Sequence, residues 1–236
     1  MSAEIMYTLD EIRDICPALA ECSLFDQIPE EKYPNILHCL SAQRRTFKKN
    51  QTIINIGENS QMAGLVLSGR IELAFFDENG NQINVDHMVS GQIFGATLSC
   101  CEWALSTIQL KALEDCDVMF MNFRNLLVVQ EKYCPFRAQV TSNLLRDFAR
   151  QTEAMNEHMR IICQKKLRDK IKIYLQTLKK GGTGCIEIPF SRHELADYLY
   201  VDRSALSREL CRMRDEGIID FEGKTVTVLD EDFLYC

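Results

Sequence analysis

Residues 136–178 contain no glycine, and this stretch divides the chain into three sections of different character. Before it, between Arg44 and Asp117, short β-rich runs alternate with glycines, a pattern typical of a compact antiparallel barrel or roll. The stretch itself is rich in good helix formers and predicts a long helix. The glycines within Lys179–Gly184 then end the helical region, because glycines so closely spaced cannot sustain a helix, and a new module begins there.

The β-rich section contains five predicted strands and the turns that join them. The pair Asn79-Gly80 indicates a tight hairpin between the third and fourth strands, because the central positions of such a turn require positive φ. Gly69, Gly91 and Gly95 indicate further turns. The strands are predicted over Thr52–Ile56, Gly64–Leu67, Arg70–Phe76, Gln82–Val85 and Ile108–Ala112.

Six side chains on the predicted long helix recur at alternating spacings of four and three, as in helices that pack against each other. They are Leu144, Phe148, Thr152, Met155, Met159 and Ile162. We expect this stripe to form the interface of a homodimer, and its methionines to make that interface adaptable. A helix that lies on its own domain would bury the same kind of stripe, so both alternatives remain open.

Length and composition indicate two domains in one cytoplasmic chain. The 236 residues, 46% of them hydrophobic, are enough for two separate cores. No apolar run approaches the roughly 20 residues of a membrane span, and the first residues lack the pattern of a signal peptide. We therefore expect no membrane partner, and we expect the eleven cysteines to be reduced thiols rather than disulfides.

The charge of the chain is strongly segregated. The net charge of −7 is unusual for a protein that binds nucleic acid, but Arg160–Arg214 carries 13 Lys/Arg against 6 Asp/Glu. The other 14 basic and 28 acidic residues leave the rest of the chain strongly negative. The basic stretch therefore favours phosphates, while the remainder repels DNA and limits non-specific binding.

The third section has the pattern of a winged helix-turn-helix. Ser191 and Glu194 form a capping-box signature for a first helix that ends at Leu199. A second helix is predicted over Arg203–Glu216, with Gly217 at its end. The flanking strands are predicted over Cys185–Ile188, Ile218–Phe221 and Thr225–Leu229.

The second of these helices has one apolar face and one face suited to DNA. Leu206, Leu210 and Met213 share the apolar face. An arginine fork matches the acceptors of guanine in the major groove, and serine can serve a base or a phosphate. Arg192 at the first helix and Lys224 in the hairpin turn are predicted to hold phosphates. The opposite face carries Arg203, Ser204, Ser207, Arg208 and Arg212.

This section resembles the DNA-binding signature of the Crp/Fnr regulators, the family of cyclic-AMP receptor protein and the fumarate-nitrate reduction regulator. The matching runs are Ser191–Leu199, Asp202–Leu210 and Glu216–Ile219. Upstream, the runs Leu67–Arg70, Asn79-Gly80 and Gly91–Gly95 resemble the β-roll of that family, so the likeness extends from about Leu24 to Leu229. It implies an α+β fold with three parts. They are an N-terminal cyclic-nucleotide-binding-type β-roll (double-stranded β-helix) at 1–135, a long dimerisation helix at 136–164, and a C-terminal winged helix-turn-helix at 165–236.

The resemblance also assigns roles on the second helix. Arg203 and Arg208 fall on base-contacting positions of the cyclic-AMP branch, and Ser207 and Arg208 on those of the fumarate-nitrate branch. Ser204 stands where both branches have glutamate, so the preferred half-site cannot be copied from either. Tyr200 stands where many such turns have glycine, and we expect positive φ or a slightly altered turn there. The partners implied are double-stranded DNA, a second copy of the chain and RNA polymerase.

The predicted effector pocket lacks the residues that recognise cyclic AMP. In cyclic-nucleotide binders of this family a Phe-Gly pair, here Phe94-Gly95, is followed by a glutamate that binds the ribose hydroxyls. A later Arg-Ser pair binds the phosphate. In this chain Ala96 stands at the position of the glutamate, and the positions of the Arg-Ser pair are occupied by Ser106 and Thr107. Without a guanidinium the phosphate loses a charge-assisted contact, so we expect an effector other than cyclic AMP.

Other sensor chemistries remain open. An iron–sulfur cluster needs four ligands, and only Cys16 and Cys22 lie near the N-terminus, with Cys39 distant and Met119 near the expected fourth position. Haem ligation through His87, Met88 or a cysteine is a further alternative, as is a redox pair or soft-metal site. The cysteines considered for that last site are Cys100, Cys101 and Cys116.

Two other classes of protein fit the sequence less well. A cupin-like enzyme would need a compact His/Glu metal set, and the β-rich section offers only His87, so we do not expect an enzyme. A regulatory module that senses a ligand but acts on a protein partner would not need a basic helix that contacts DNA, so the basic stretch Arg160–Arg214 argues against this class.

Overall fold

The computed structural model describes residues 7–76, 78–80, 82–101, 103–127, 136–179, 185–230 and 232–235. The chain forms two compact units, Met1–Phe148 and Ala149–Cys236. Among the described residues the helices are α1 (Leu9–Ile12), α2 (Cys16–Glu21), α3 (Tyr33–Cys39), α4 (Ala96–Cys100), α5 (Arg124–Leu127), α6 (Arg137–Ile162), α7 (Leu167–Leu178), α8 (Arg192–Tyr198), α9 (Arg203–Asp215) and α10 (Asp232–Tyr235). The strands are β1 (Gln43–Phe47), β2 (Thr52–Ile54), β3 (Ala63–Ser68), β4 (Ile71–Phe76), β5 (Gln82–Met88), β6 (Ile93–Phe94), β7 (Gln109–Ala112), β8 (Cys116–Met121), β9 (Cys185–Glu187), β10 (Ile219–Glu222) and β11 (Thr225–Val228).

Two four-stranded antiparallel sheets form the β-roll of the first unit. Their strand orders are β1-β8-β3-β6 and β2-β7-β4-β5. The five predicted strands correspond to β2, β3, β4, β5 and β7, which confirms the predicted β section. The strands β1, β6 and β8 and the N-terminal helices α1 to α3 were not predicted from the sequence.

The strands β3 and β8 are buried on both faces, because successive side chains of a strand point to opposite sides of its sheet. In β3, Leu65 and Leu67 belong to the core shared with the N-terminal helices, whereas Val66 belongs to the core between the two sheets. In β8, Met119 and Phe120 divide between the two cores in the same way. The interior of the roll is therefore packed with apolar side chains.

The turns of the roll follow the glycines. Gly69, Gly91 and Gly95 have φ of +87°, +84° and +67°. At Gly69 a Cβ atom would also lie 2.7 Å from a backbone carbonyl oxygen, so space and φ both require glycine. The predicted hairpin joins β4 and β5, and Gly80 has φ of +80°. β4 ends at Phe76 and β5 begins at Gln82, which are the bounds that the sequence predicted on either side of this hairpin.

The long helix ends earlier than the glycine-free stretch. α6 stops at Ile162 and α7 begins at Leu167, where Lys166 adopts an extended conformation with φ −97° and ψ 138°. Ile161 near the end of α6 and Ile171 on α7 are both buried in one core of the second unit. The break allows both helices to bury side chains in that core.

The second unit is a winged helix-turn-helix, as predicted. The helices α7, α8 and α9 pack with a three-stranded sheet of order β10-β11-β9 around a single apolar core. The strands β10 and β11 form the wing, and their turn consists of Gly223 and Lys224 between the paired residues Glu222 and Thr225. Together with the roll and α6, this unit confirms the predicted α+β fold class.

Candidate nucleic-acid interface

The helix α8 begins at the predicted capping box. The backbone N–H of Glu194 donates to Ser191 Oγ at 3.3 Å, and the backbone N–H of Ser191 donates to Glu194 Oε2 at 2.6 Å. The bond from the Ser191 N–H, together with a hydrogen bond from the Ser191 side chain, holds the pKa of the Glu194 carboxyl below its usual value. The two capping bonds satisfy two N–H groups that a helix start leaves without backbone partners.

The turn between α8 and α9 contains a residue in the left-handed region. Tyr200 has φ of +51°, which confirms the positive φ expected at this position. The turn is closed by hydrogen bonds from the N–H groups of Tyr200 and Val201 to the carbonyl oxygens of Asp197 and Ala196, both at 3.0 Å. This geometry at the end of α8 sets the direction in which α9 leaves.

Asp202 caps the start of α9 and was not singled out by the sequence analysis. Its Oδ1 accepts from the backbone N–H groups of Ser204 and Ala205, at 2.8 and 3.0 Å. The Ser204 hydroxyl donates to the same oxygen at 2.5 Å, and this bond is the main reason that the pKa of the Asp202 carboxyl is lowered. An aspartate directly before a helical pattern is the signal that could have identified this cap.

The helix α9 has the two faces that the sequence predicts. Leu206, Leu210 and Met213 are at most 3% exposed and lie in the core of the second unit. The five polar residues of the other face are exposed. They are Arg203, Ser204, Ser207, Arg208 and Arg212.

Arg208 is oriented by a short chain of hydrogen bonds. Its Nη1 donates to Ser204 Oγ at 3.1 Å, and Ser204 Oγ donates in turn to the capping carboxylate of Asp202. A guanidinium carries five N–H donors, and this bond uses one of them. The arrangement therefore orders the arginine on the exposed face of α9 while leaving donors for a ligand.

The two residues predicted to hold phosphates lie in different environments. Arg192 is half-buried, with its guanidinium carbon 4.6 Å from the centre of the Phe221 ring, and burial lowers its pKa. Arg214 lies over the same ring at 5.0 Å. Lys224 is exposed in the wing turn, where its Nζ donates to the carbonyl oxygen of Pro189 at 3.1 Å. The Phe221 contact gives Arg192 a packing role that the sequence analysis did not foresee.

The helix α7 anchors α8 and α9 through two basic side chains. Arg168 donates to Glu209 at 2.6 Å and to both oxygens of Glu216 at 2.7 and 3.1 Å. The same bonds hold the pKa of the Glu216 carboxyl below its usual value. Lys170 Nζ donates to the carbonyl oxygen of Leu199 at 2.8 Å. No local sequence pattern pairs these residues, because they are 29 to 48 positions apart.

The six residues of the predicted dimer stripe do not share one environment. Leu144 is buried in the core of the first unit and Phe148 packs against that core, as a helix lying on its own domain would place them. Ile162 is half-buried, and Leu145, which was not predicted, is 63% exposed. The exposed members of the stripe are Thr152, Met155 and Met159. The surface that α6 offers to a partner is therefore narrower than predicted.

The first three effector-pocket candidates lie in different surroundings. The Phe94 ring lies inside the roll, edge-on to Phe120 with 6.0 Å between ring centres. Gly95 adopts the left-handed conformation at the start of α4, and Ala96 is buried in the core shared with the N-terminal helices. Neither buried side chain offers a polar group to a ligand.

The other two pocket candidates offer no positive charge. Ser106 is 3% exposed, and its hydroxyl donates to the carbonyl oxygen of Ile108 at 2.7 Å. Thr107 is exposed.

The candidate metal and redox residues differ in exposure: Cys22, Cys116 and Met119 are buried, Cys16, Cys39, Cys100 and Met88 are half-buried, and Cys101 and His87 are exposed. Burial raises the pKa of the Cys22 thiol to about 12, and it also raises the pKa of Cys16, Cys100 and Cys116. Within the described ranges, no three His, Cys, Asp or Glu side chains are grouped in a way that could hold a metal ion. Among the same residues, no helix is both long enough and apolar enough to cross a membrane.

Comparisons with known proteins identify both units. A family model described as the cyclic nucleotide-binding domain matches residues 44–133, and one described as the Crp-like helix-turn-helix domain matches residues 170–236. The chain is 23% identical to the transcriptional activator protein FnrA of Stutzerimonas stutzeri over 192 residues, which cover 79% of this chain and 76% of that protein. It is 24% identical to the cyclic AMP receptor protein of Thermus thermophilus over 192 residues, covering 81% of this chain and 86% of that one.

A solved structure shares the fold. The global regulator CLP of Xanthomonas campestris, described as responsive to c-di-GMP, matches with a TM-score of 0.56 and 18% sequence identity. The match covers 83% of this chain and 98% of that one.

Proposed function

Because this chain belongs to the Crp/Fnr family of DNA-binding transcriptional regulators, we propose that it binds a palindromic operator as a homodimer. Each α9 would enter the major groove, with half-sites about one helical turn apart. The observation that carries the proposal is the two-sided α9, whose apolar side is buried while Arg203, Ser204, Ser207 and Arg208 are exposed. Selection of bound sequences from random duplex DNA by the full chain tests it. We expect a palindromic sequence to be enriched. Recovery of bound DNA in which no sequence is enriched would contradict the proposal.

Lys224 and Arg192 form a matched pair for testing phosphate contacts. Lys224 is exposed in the wing turn, so Lys224→Ala should weaken binding to all sequences about equally and lower the slope of log affinity against log salt by about one. Titrations of one operator and one unrelated duplex at several salt concentrations measure this. Lys224→Arg, which keeps the charge, should preserve the slope. A selective loss of operator affinity would contradict the assignment.

Arg192→Ala is expected to differ from Lys224→Ala because Arg192 also lies over Phe221. We expect the same loss of slope and, in addition, a lower midpoint of thermal unfolding, since a partly buried cation over an aromatic ring contributes about 1 kcal/mol. A slope that stays at the wild-type value would restrict Arg192 to the packing role.

We further propose that the roll senses an effector other than cyclic AMP. Ala96 supplies no carboxylate, and neither Ser106 nor Thr107 supplies a guanidinium. As a regulator of this family the protein would act in the cytoplasm, and RNA polymerase is its proposed second protein partner.

Calorimetric titration of the full chain with cyclic AMP should give no measurable heat of binding, and cyclic AMP should leave operator affinity unchanged. The phosphate would lack the bidentate contact that normally offsets its desolvation. The cyclic AMP receptor protein of Thermus thermophilus, titrated under the same conditions, is the control. A micromolar dissociation constant for this chain would show that the pocket contains a phosphate site that the sequence comparison missed.

A further inference from the structure

His158 contacts the turn between the two DNA-reading helices. It lies on α6, within the second unit, and its Nε2 is 2.7 Å from the carbonyl oxygen of Tyr198, the last residue of α8. The imidazole also stacks on the Tyr198 ring, with 4.2 Å between ring centres and 18° between the planes. The Tyr200 ring in the turn lies 6.2 Å away.

The acceptor in this contact is one that a helix end leaves without a backbone partner. The last carbonyl groups of an α-helix have no intrahelical donor, so they need one from elsewhere. At the end of α8 the carbonyl oxygen of Tyr198 accepts a hydrogen bond from His158, and the carbonyl oxygen of Leu199 accepts one from Lys170. Two successive carbonyls are thus bound by side chains from α6 and α7. Both the neutral imidazole with a proton on Nε2 and the imidazolium can donate this bond.

We propose that His158 is a positioning residue that couples α6 to the helix-turn-helix. This inference rests on the proposed DNA-binding function, and it adds the route by which α6 acts on α9. With 3.6 residues per turn, His158 lies about 120° around the helix from the exposed Thr152. One side of α6 therefore faces the turn while another side remains available to a partner.

The contact can transmit a movement because its hydrogen bond is short and directional and its two rings are stacked. Tyr198 also lies 5.0 Å from Phe190 and 5.5 Å from Tyr174, so its ring is held in an aromatic cluster of the second unit. A rotation or shift of α6 that moves His158 must then carry the turn with it or break the hydrogen bond. The turn sets the direction of α9, so either outcome changes how α9 meets a major groove.

Two substitutions separate the hydrogen bond from the ring stack. His158→Gln keeps an N–H donor without the ring, whereas His158→Phe keeps the ring without the donor. Tyr198→Phe retains the carbonyl and the ring and serves as the control. For each full-length variant, affinity is measured for the selected operator and for an unrelated duplex, with the active fraction determined by titration.

We expect His158→Phe to reduce the ratio of operator to non-specific affinity by about tenfold, since one hydrogen bond to the turn is lost. His158→Gln should recover most of that ratio, and Tyr198→Phe should match the wild type. A merely structural effect would lower the active fraction and leave the ratio unchanged. An unchanged ratio in His158→Phe, or no recovery in His158→Gln, would overturn the proposal. If the wild type selects no operator, it is the proposed function that fails.

Discussion

Thr152→Glu combined with Met159→Glu is expected to convert the proposed homodimer to a monomer. Both side chains are exposed on α6, and in the proposed dimer they would meet their counterparts across the two-fold axis. Four like charges in such a seam repel each other and are costly to desolvate. Loss of the second half-site contact should then reduce operator affinity on the order of 100-fold to 10,000-fold. Sedimentation gives the mass, and titration with the operator gives the affinity.

The control for this experiment is Arg150→Glu. Arg150 is exposed on α6 but lies on another side of the helix from Thr152, so the variant should remain dimeric. Phe148 is unsuitable as a test because it packs against the core of its own unit, where a charge would perturb folding. A doubly substituted protein that keeps the dimer mass would place the interface elsewhere.

Arg208→Ala is expected to cost about 1–3 kcal/mol of operator binding and to remove the preference at one base pair of each half-site. The guanidinium is exposed on α9 and ordered by Ser204, and in the proposed complex it would make a bidentate contact with guanine. Sequence selection with the variant should show a flattened position and an otherwise unchanged palindrome.

Arg208→Lys distinguishes base reading from phosphate binding. Lysine keeps the charge but lacks the planar fork, so it should retain the salt dependence and lose part of the base preference. A variant with alanine at 208 that keeps full preference at every position would exclude Arg208 from the reading role. An equal loss of affinity for all DNA sequences would indicate that Arg208 contacts phosphates instead of a base.

The winged helix-turn-helix could be predicted closely because its signals are local. The capping box of Ser191 and Glu194, Gly217 at the end of α9, and the spacing of Leu206 and Leu210 each act within one or two helical turns. Five strands of the roll were recognised by the same kind of local pattern. β8 was missed because both of its faces are buried, so it lacks the alternation of apolar and polar residues that indicates a strand.

The dimer stripe shows where periodicity stops being informative. A spacing of four and three predicts an apolar stripe but does not name the surface that covers it. Leu144 is covered by the first unit's own core, whereas Met159 is 53% exposed. Only the packing around each position decided between these outcomes.

The amino-acid sequence by itself determined the helix-turn-helix and the exposed face of α9, because short-range spacing and capping encode them, and its resemblance to a known family implied the fold class. The tertiary structure alone decided that Arg192 lies over Phe221 and that His158 reaches the carbonyl of Tyr198. It also decided that Arg168 ties α7 to α9. These contacts join residues 29 to 48 positions apart. No local pattern records such pairs, since they arise only when the core brings separate elements together.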